Sequence, residues 1–136
     1  MPVEDDAELR EILELDTIAV VGCSATPHKE AHEIPKFMRG QGYEIIPVNP
    51  YADDIFGIEP YDSLADVEET VDIVDIFRPS EEVSDIVDAA LEREDVQVIW
   101  TQLGIRDREA GERVEAAGKQ YVESHCLKVE YQRLME

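Results

Sequence analysis

VVGCSATPHKEAHEIPKFMRGQGYEIIPVNP, residues 20–50, sets an apolar run ending in Gly22 before a polar loop. A helix-forming segment and a second apolar run follow, the latter closing on Pro47-Val48-Asn49-Pro50. Strand, loop, helix and strand in that order form the repeating unit of a parallel sheet with crossover helices. The glycine fingerprint of dinucleotide sites is incomplete, because Ser24 occupies its second glycine position and no third glycine precedes the helix. Proline is tolerated in a helix's first turn and costly later, so the helix is expected to begin near Pro35, after a long loop over 23–33. Gln41-Gly42 is expected to end it.

The same unit recurs along the chain. Ile18–Val21, Glu44–Val48, Val71–Phe77 and Val96–Trp100 read as buried strands, with a shorter one at Gln120–Val122. Their starts are roughly 25 residues apart, the length of a strand plus a crossover helix. Between Glu81 and Arg93, Val83, Ile86, Val87, Ala90 and Leu91 fall on one helical face. Ser80 is the expected N-cap, and Glu81 and Glu82 favour the positive end of the helix dipole. Another helix is expected over Asp107–Ala117, capped by Asp107 and stopped by Gly118. Its thin apolar face (Ala110, Val114, Ala117) implies close packing. Asp6–Leu15 and Leu127–Leu134 read as terminal helices. The expectation is one α/β domain over 1–136, with a doubly wound parallel sheet of about five strands and a core over about 17–134.

Charge is the strongest compositional signal. Thirty-three Asp and Glu oppose twelve Lys and Arg, a formal net charge of −21. Such a field repels nucleic acid and anionic membranes, so neither is expected as a partner. The apolar residues are grouped periodically, which argues for a folded domain with a carboxylate-rich surface, as in proteins of a salty, halophilic cytoplasm. At 1 M salt the Debye length is about 3 Å, and the self-repulsion would be largely screened. No apolar run approaches the roughly 18–20 residues that span a bilayer. The acidic, amphipathic N-terminus is unlike a signal peptide, so a cytoplasmic location is expected. The two cysteines, Cys23 and Cys126, are too few for a disulfide framework and are expected to be reduced.

The loop after the first strand lies where doubly wound sheets bind ligands. Gly22 permits a sharp turn, the Ser24 hydroxyl can donate to a phosphate oxygen, and helix-start N–H groups favour an anion. Lys29, one of four lysines, falls in this loop. A nicotinamide dinucleotide also needs a carboxylate at the tip of the second strand, to hold the ribose. That tip is PVNP, and Asp53 and Asp54 lie beyond it, so NAD is disfavoured.

IAVVGCS, GYEIIPVNP, YDSLADV, VDIVDIFR, IWTQLGI and CLKVE, in this order, resemble the small stand-alone coenzyme A-binding proteins. Their Rossmann-like domain is similar to the CoA-binding domain of the succinyl-CoA synthetase alpha subunit. The resemblance covers about residues 17–134. It implies CoA or acyl-CoA as ligand, held along Gly22, Cys23, Ser24 and Lys29 and by Val48, Asn49 and Pro50. It adds Phe77 and Arg78 after the third strand, and Gln102 and Gly104 after the fourth. Arg78 suits a phosphate through its planar fork of donors, whereas Phe77 also fits the core. The chain departs from its relatives at Lys29 (often arginine), Ala31 (often serine) and Ser124-His125 (commonly an acidic–basic pair).

His28 and His32 are four apart, but Pro35 is expected to leave them in the loop or at the helix start, with no third ligand; no metal site is expected. Cys23 reads as a small residue filling space under the loop. In the synthetase-like relatives, acyl-CoA chemistry uses a phosphorylated histidine and a nucleotide-grasp domain outside this region. The expectation is therefore a binding module without catalytic machinery, one that would sense CoA or dock with a partner. The alternatives are a thiol-dependent or redox-regulated enzyme acting through Cys126, and an interaction domain without a ligand. A homodimer and a protein partner are both compatible with the sequence.

Overall fold

A computed structural model describes residues 1–136. Five parallel strands form one sheet: β1 (Thr17–Val21), β2 (Glu44–Val48), β3 (Ile73–Ile76), β4 (Val98–Thr101) and β5 (Gln120–Val122). Their spatial order is β2-β1-β3-β4-β5, so the chain winds outward one way from β1 and then back past it. Five helices cover the faces: α1 (Asp6–Leu13), α2 (Glu30–Gly40), α3 (Ser80–Leu91), α4 (Arg108–Ala116) and α5 (Leu127–Met135). None is long and apolar enough to cross a membrane.

Alternation along the strands divides the core in two. Ile18, Val20, Ile73, Val98 and Trp100 face α1, α2 and α5. Ala19, Val74, Ile76, Ile99 and Tyr121 face α3 and α4. Each strand is therefore apolar on both sides, which explains why the sequence shows continuous apolar runs rather than alternation. Ala110 and Val114 of α4 are buried as expected, whereas Ala117 is the exposed C-cap, and the packing is close at Gly111 instead. A Cβ built on Gly111 would lie 2.4 Å from the Tyr121 ring, so glycine lets the helix settle onto β5.

Two helix starts differ from expectation. Helix α3 does not use Ser80 as its cap: Pro79 holds that position without a side-chain bond, and the Ser80 hydroxyl instead accepts from the Arg106 N–H at 3.0 Å. Helix α2 begins five residues before Pro35 and contains it. Proline has no N–H, so the carbonyl of Ala31 loses its helical donor. The Ser24 N–H supplies that bond instead, at 2.9 Å. The first loop thereby compensates the helix for its proline. Asp107 caps α4 as expected, accepting from the Ala110 N–H at 3.0 Å.

Candidate functional site

The connection from β1 goes to one side of the sheet and that from β3 to the other, so their C-terminal ends part at a topological switch. This is where open α/β sheets hold ligands. A cleft of about 370 Å3 lies there, floored by Val21 and Gly22 and flanked by Val48–Pro50. Ile86 and Ala89 of α3 form its opposite wall, and the Arg78 side chain sits at its mouth. Tyr51, 91% exposed, stands at the rim.

Gly22 has φ +90°, a backbone region that disfavours any side chain. Space gives a second reason for glycine. A Cβ here would lie 2.8 Å from Arg78 Cδ and 2.9 Å from the Phe77 carbonyl oxygen. The aliphatic stem of Arg78 thus lies across Gly22, joining the ends of β1 and β3. At the other end of that side chain, Arg78 Nε donates to Glu82 Oε1 at 3.0 Å and Nη2 donates to Oε2 at 2.8 Å. These hydrogen bonds hold Glu82 below the usual carboxylate range and raise Arg78 above its ordinary value.

Backbone ties to neighbouring elements hold the first loop. Ser24 donates its N–H to Ala31, and its carbonyl accepts from His32 Nδ1 at 2.7 Å. Asn49 Nδ2 donates to the Cys23 carbonyl at 2.8 Å, while Asn49 Oδ1 accepts from the Tyr51 N–H. Asn49 therefore clamps the first loop to the turn after β2. The Ser24 hydroxyl accepts from the Thr26 N–H, closing a small turn. At the helix start, the N–H groups of Glu30 and Ala31 have no protein acceptor, and exposed Lys29 pairs with no carboxylate.

Beneath the loop, on the opposite face from the cleft, lies a buried polar pair. Asp75 is wholly buried in the centre of the sheet, between Val20 and Trp100. Its Oδ1 accepts from Gln102 Nε2 at 2.7 Å. Asp75 Oδ2 and Gln102 Oε1 have no partner. Burial pushes the Asp75 carboxyl up to about 8, against the opposing hydrogen bonds from Gln102 and Ile76. A neutral acid relieves the problem, because a protonated carboxyl carries a donor as well as an acceptor. Burial, with Asp75 nearby, also pushes the Cys23 thiol up to about 12. Cys23 is thus a packed thiol rather than a nucleophile.

The residues singled out in the sequence therefore fall into separate places. Gly22, Val48, Asn49, Pro50 and Arg78 line the cleft. Cys23 is buried under the loop and Ser24 forms its turn; Lys29 is exposed at the start of α2. Phe77 is half-buried against the α1/α2/α5 core. Gln102 is the partner of Asp75, and Gly104, with φ +89°, donates its N–H to Ser124 Oγ at 2.9 Å. Neither Gln102 nor Gly104 lines the cleft. His32 is helical and His28 is not, having φ +77°, so the pair does not share a helix face. Cys126 precedes α5 and packs against the layer opposite the cleft.

Two residues escaped the sequence reading. Glu82 was legible only as a helix-dipole acid, although its spacing of four from Arg78 is that of a helical ion pair. Asp75 carried a plainer signal, a lone carboxylate inside a run that is otherwise core.

Comparison with known proteins fits this geometry. Residues 16–132 match the CoA binding domain family. The Bacillus subtilis protein YneT is 38% identical over 124 residues, covering 90% of this chain and 91% of its own. A solved structure from Thermus thermophilus superposes with TM-score 0.90 at 40% identity, over 96% of this chain and 99% of that one. The ADP-forming acetate–CoA ligase of Methanocaldococcus jannaschii is 37% identical over 75 residues, 55% of this chain but 11% of the ligase. A match so small against the ligase concerns one of its segments, while the two smaller proteins match nearly end to end. With the switch-point cleft and the family match over most of its length, the chain belongs to the CoA binding domain family.

Proposed function

We propose that this protein binds coenzyme A or an acyl-CoA at the switch-point cleft, as a binding module without catalytic machinery of its own. The observation that carries this reading is the Arg78 stem lying across Gly22, which brings a guanidinium to the mouth of a cleft with apolar walls. The cradle fits the ligand class. Gly22 leaves room that a Cβ would fill, and Val21, Val48, Pro50 and Ile86 offer apolar surface. Arg78, Lys29 and the free N–H groups of Glu30 and Ala31 supply donors for phosphates. The cleft volume is at the small end of ligand pockets, so it accommodates part of CoA, with the remainder lying along the open edge.

A binding module with this surface would act in a cytoplasm rich in salt, sensing CoA or presenting it to a protein partner or to a second copy of the chain. The reading by which Cys126 acts on the ligand gains no support from the cleft, which lies on the other side of the sheet.

Thermal denaturation in molar salt with CoA, acetyl-CoA, NADH and ATP tests the proposal, since a ligand of the folded state raises the midpoint. A rise with CoA or acetyl-CoA, and none with NADH, is expected. A midpoint unmoved by all four would leave an interaction domain as the better reading.

A further inference from the structure

Resting on the CoA reading, one contact in the cleft goes beyond it. The charged side chains lining the cleft are Asp62, Arg78, Glu82 and Asp85, three acids to one base. The single base is engaged by one of those acids through two hydrogen bonds, from Nε and from Nη2. Two parallel N–H donors are what a phosphate seeks in arginine. A carboxylate and a phosphate present similar pairs of oxygens, so both suit the same edge of the fork.

We propose that Glu82 is an internal competitor for the ligand's phosphate at Arg78, setting how tightly the cleft holds an anion. Two roles are open to a carboxylate paired with a binding arginine: it can orient the guanidinium or occupy it. The stem of Arg78 is already placed by Gly22, where Cδ and Cγ lie 2.8 and 3.2 Å from a built Cβ. Orientation therefore does not depend on Glu82 alone. What Glu82 contributes at the head is a negative charge and occupancy of two donors. The pair is exposed, with side chains 43% and 44% accessible, so water can exchange it for another anion without burying a lone charge. Neighbouring Glu81 has the same charge but forms no hydrogen bond or ion pair with Arg78, which provides an internal control.

The test is calorimetric titration of CoA, and separately of inorganic pyrophosphate, into the wild type and into Glu82→Gln, Glu81→Gln, Arg78→Gln and the Arg78→Gln/Glu82→Gln double variant at one salt concentration. Thermal melts check that each variant is folded. Glu82→Gln is expected to bind both probes about three- to tenfold more tightly, as removal of a screened surface competitor implies. Glu81→Gln is expected to gain less, and the double variant to lose the gain. Equal or weaker binding by Glu82→Gln would overturn the proposal and make Glu82 an orienting residue. An equal gain in Glu81→Gln would also overturn it, leaving only a general field. If CoA fails to bind any variant while pyrophosphate shows the Arg78-dependent gain, the CoA reading fails and the competitor stands. If neither probe binds any variant, both fail.

Discussion

Asp75 and Glu82 are both acids near the C-terminal edge of the sheet, seven positions apart in the chain, and they behave in opposite ways. Asp75 is sealed among strands with a neutral amide for a partner, and burial drives it towards the protonated form. Glu82 stands in water with a guanidinium for a partner, and is held ionised. Residue type says nothing of this difference. It follows from desolvation in one case and charge-assisted hydrogen bonding in the other. One side of the sheet edge is thus sealed and rigid, and the other open to solvent.

The comparison breaks most visibly through pH. The folded-state value of Asp75 lies above that of an unfolded carboxylate, near 3.9. Its contribution to stability is therefore complete below about pH 4 and falls as pH rises towards about 8. Asp75→Asn keeps an acceptor for Gln102 Nε2 and adds a donor for Gln102 Oε1. It is expected to unfold at higher denaturant than the wild type above pH 8, by several kcal/mol at order of magnitude, with the gap closing in acid. Parallel curves from pH 5 to pH 9 would show that Asp75 does not titrate in this range.

Gly22→Ala strikes the cleft side at its base. A positive φ and a Cβ too near Arg78 and Phe77 together imply a loss of about 2–3 kcal/mol in stability. CoA binding should weaken with it as the Arg78 stem is displaced, which melts and titrations would both register. Arg78→Gln should lower affinity for CoA about ten- to a hundredfold, as for loss of a charged hydrogen bond. The melting midpoint should barely change, because the ion pair is exposed. A large fall in the midpoint would mean that Arg78 belongs with the rigid half. Salt provides the smallest effect. The net charge of −21 opposes an anionic ligand, so affinity should first rise on going from about 0.1 M to 1 M salt, as the Debye length shrinks from about 10 to 3 Å. Binding that is tightest at low salt would put local cations ahead of the overall field.

Much of the architecture was legible because strands buried on both faces write themselves as apolar runs. Strands β2 and β5 begin and end where their runs do. The start of α2 was not legible, because the usual penalty for an internal proline is offset by a loop donor, the Ser24 N–H, seven residues before the Ala31 carbonyl it serves. Ser80 misled for a related reason: its hydroxyl serves the loop before α4 rather than its own helix. The candidate site was legible as a place more than as a set of contacts. Gly22 and Arg78 meet in the cleft, while Gln102 belongs to a buried pair that no local pattern announces.

Pro35 finally bears on motion. With the Ala31 carbonyl given to Ser24, and His32 returning a bond to the same residue, the first loop and the opening turn of α2 are stapled into one body. A tilt of the helix therefore carries the loop with it, and a ligand gripping the loop pulls on the helix. In hydrogen exchange the Ser24 amide should be protected like a helical amide despite lying in a loop. Pro35→Ala would return a donor to Ala31 from within the helix, leaving the loop free to fluctuate by itself.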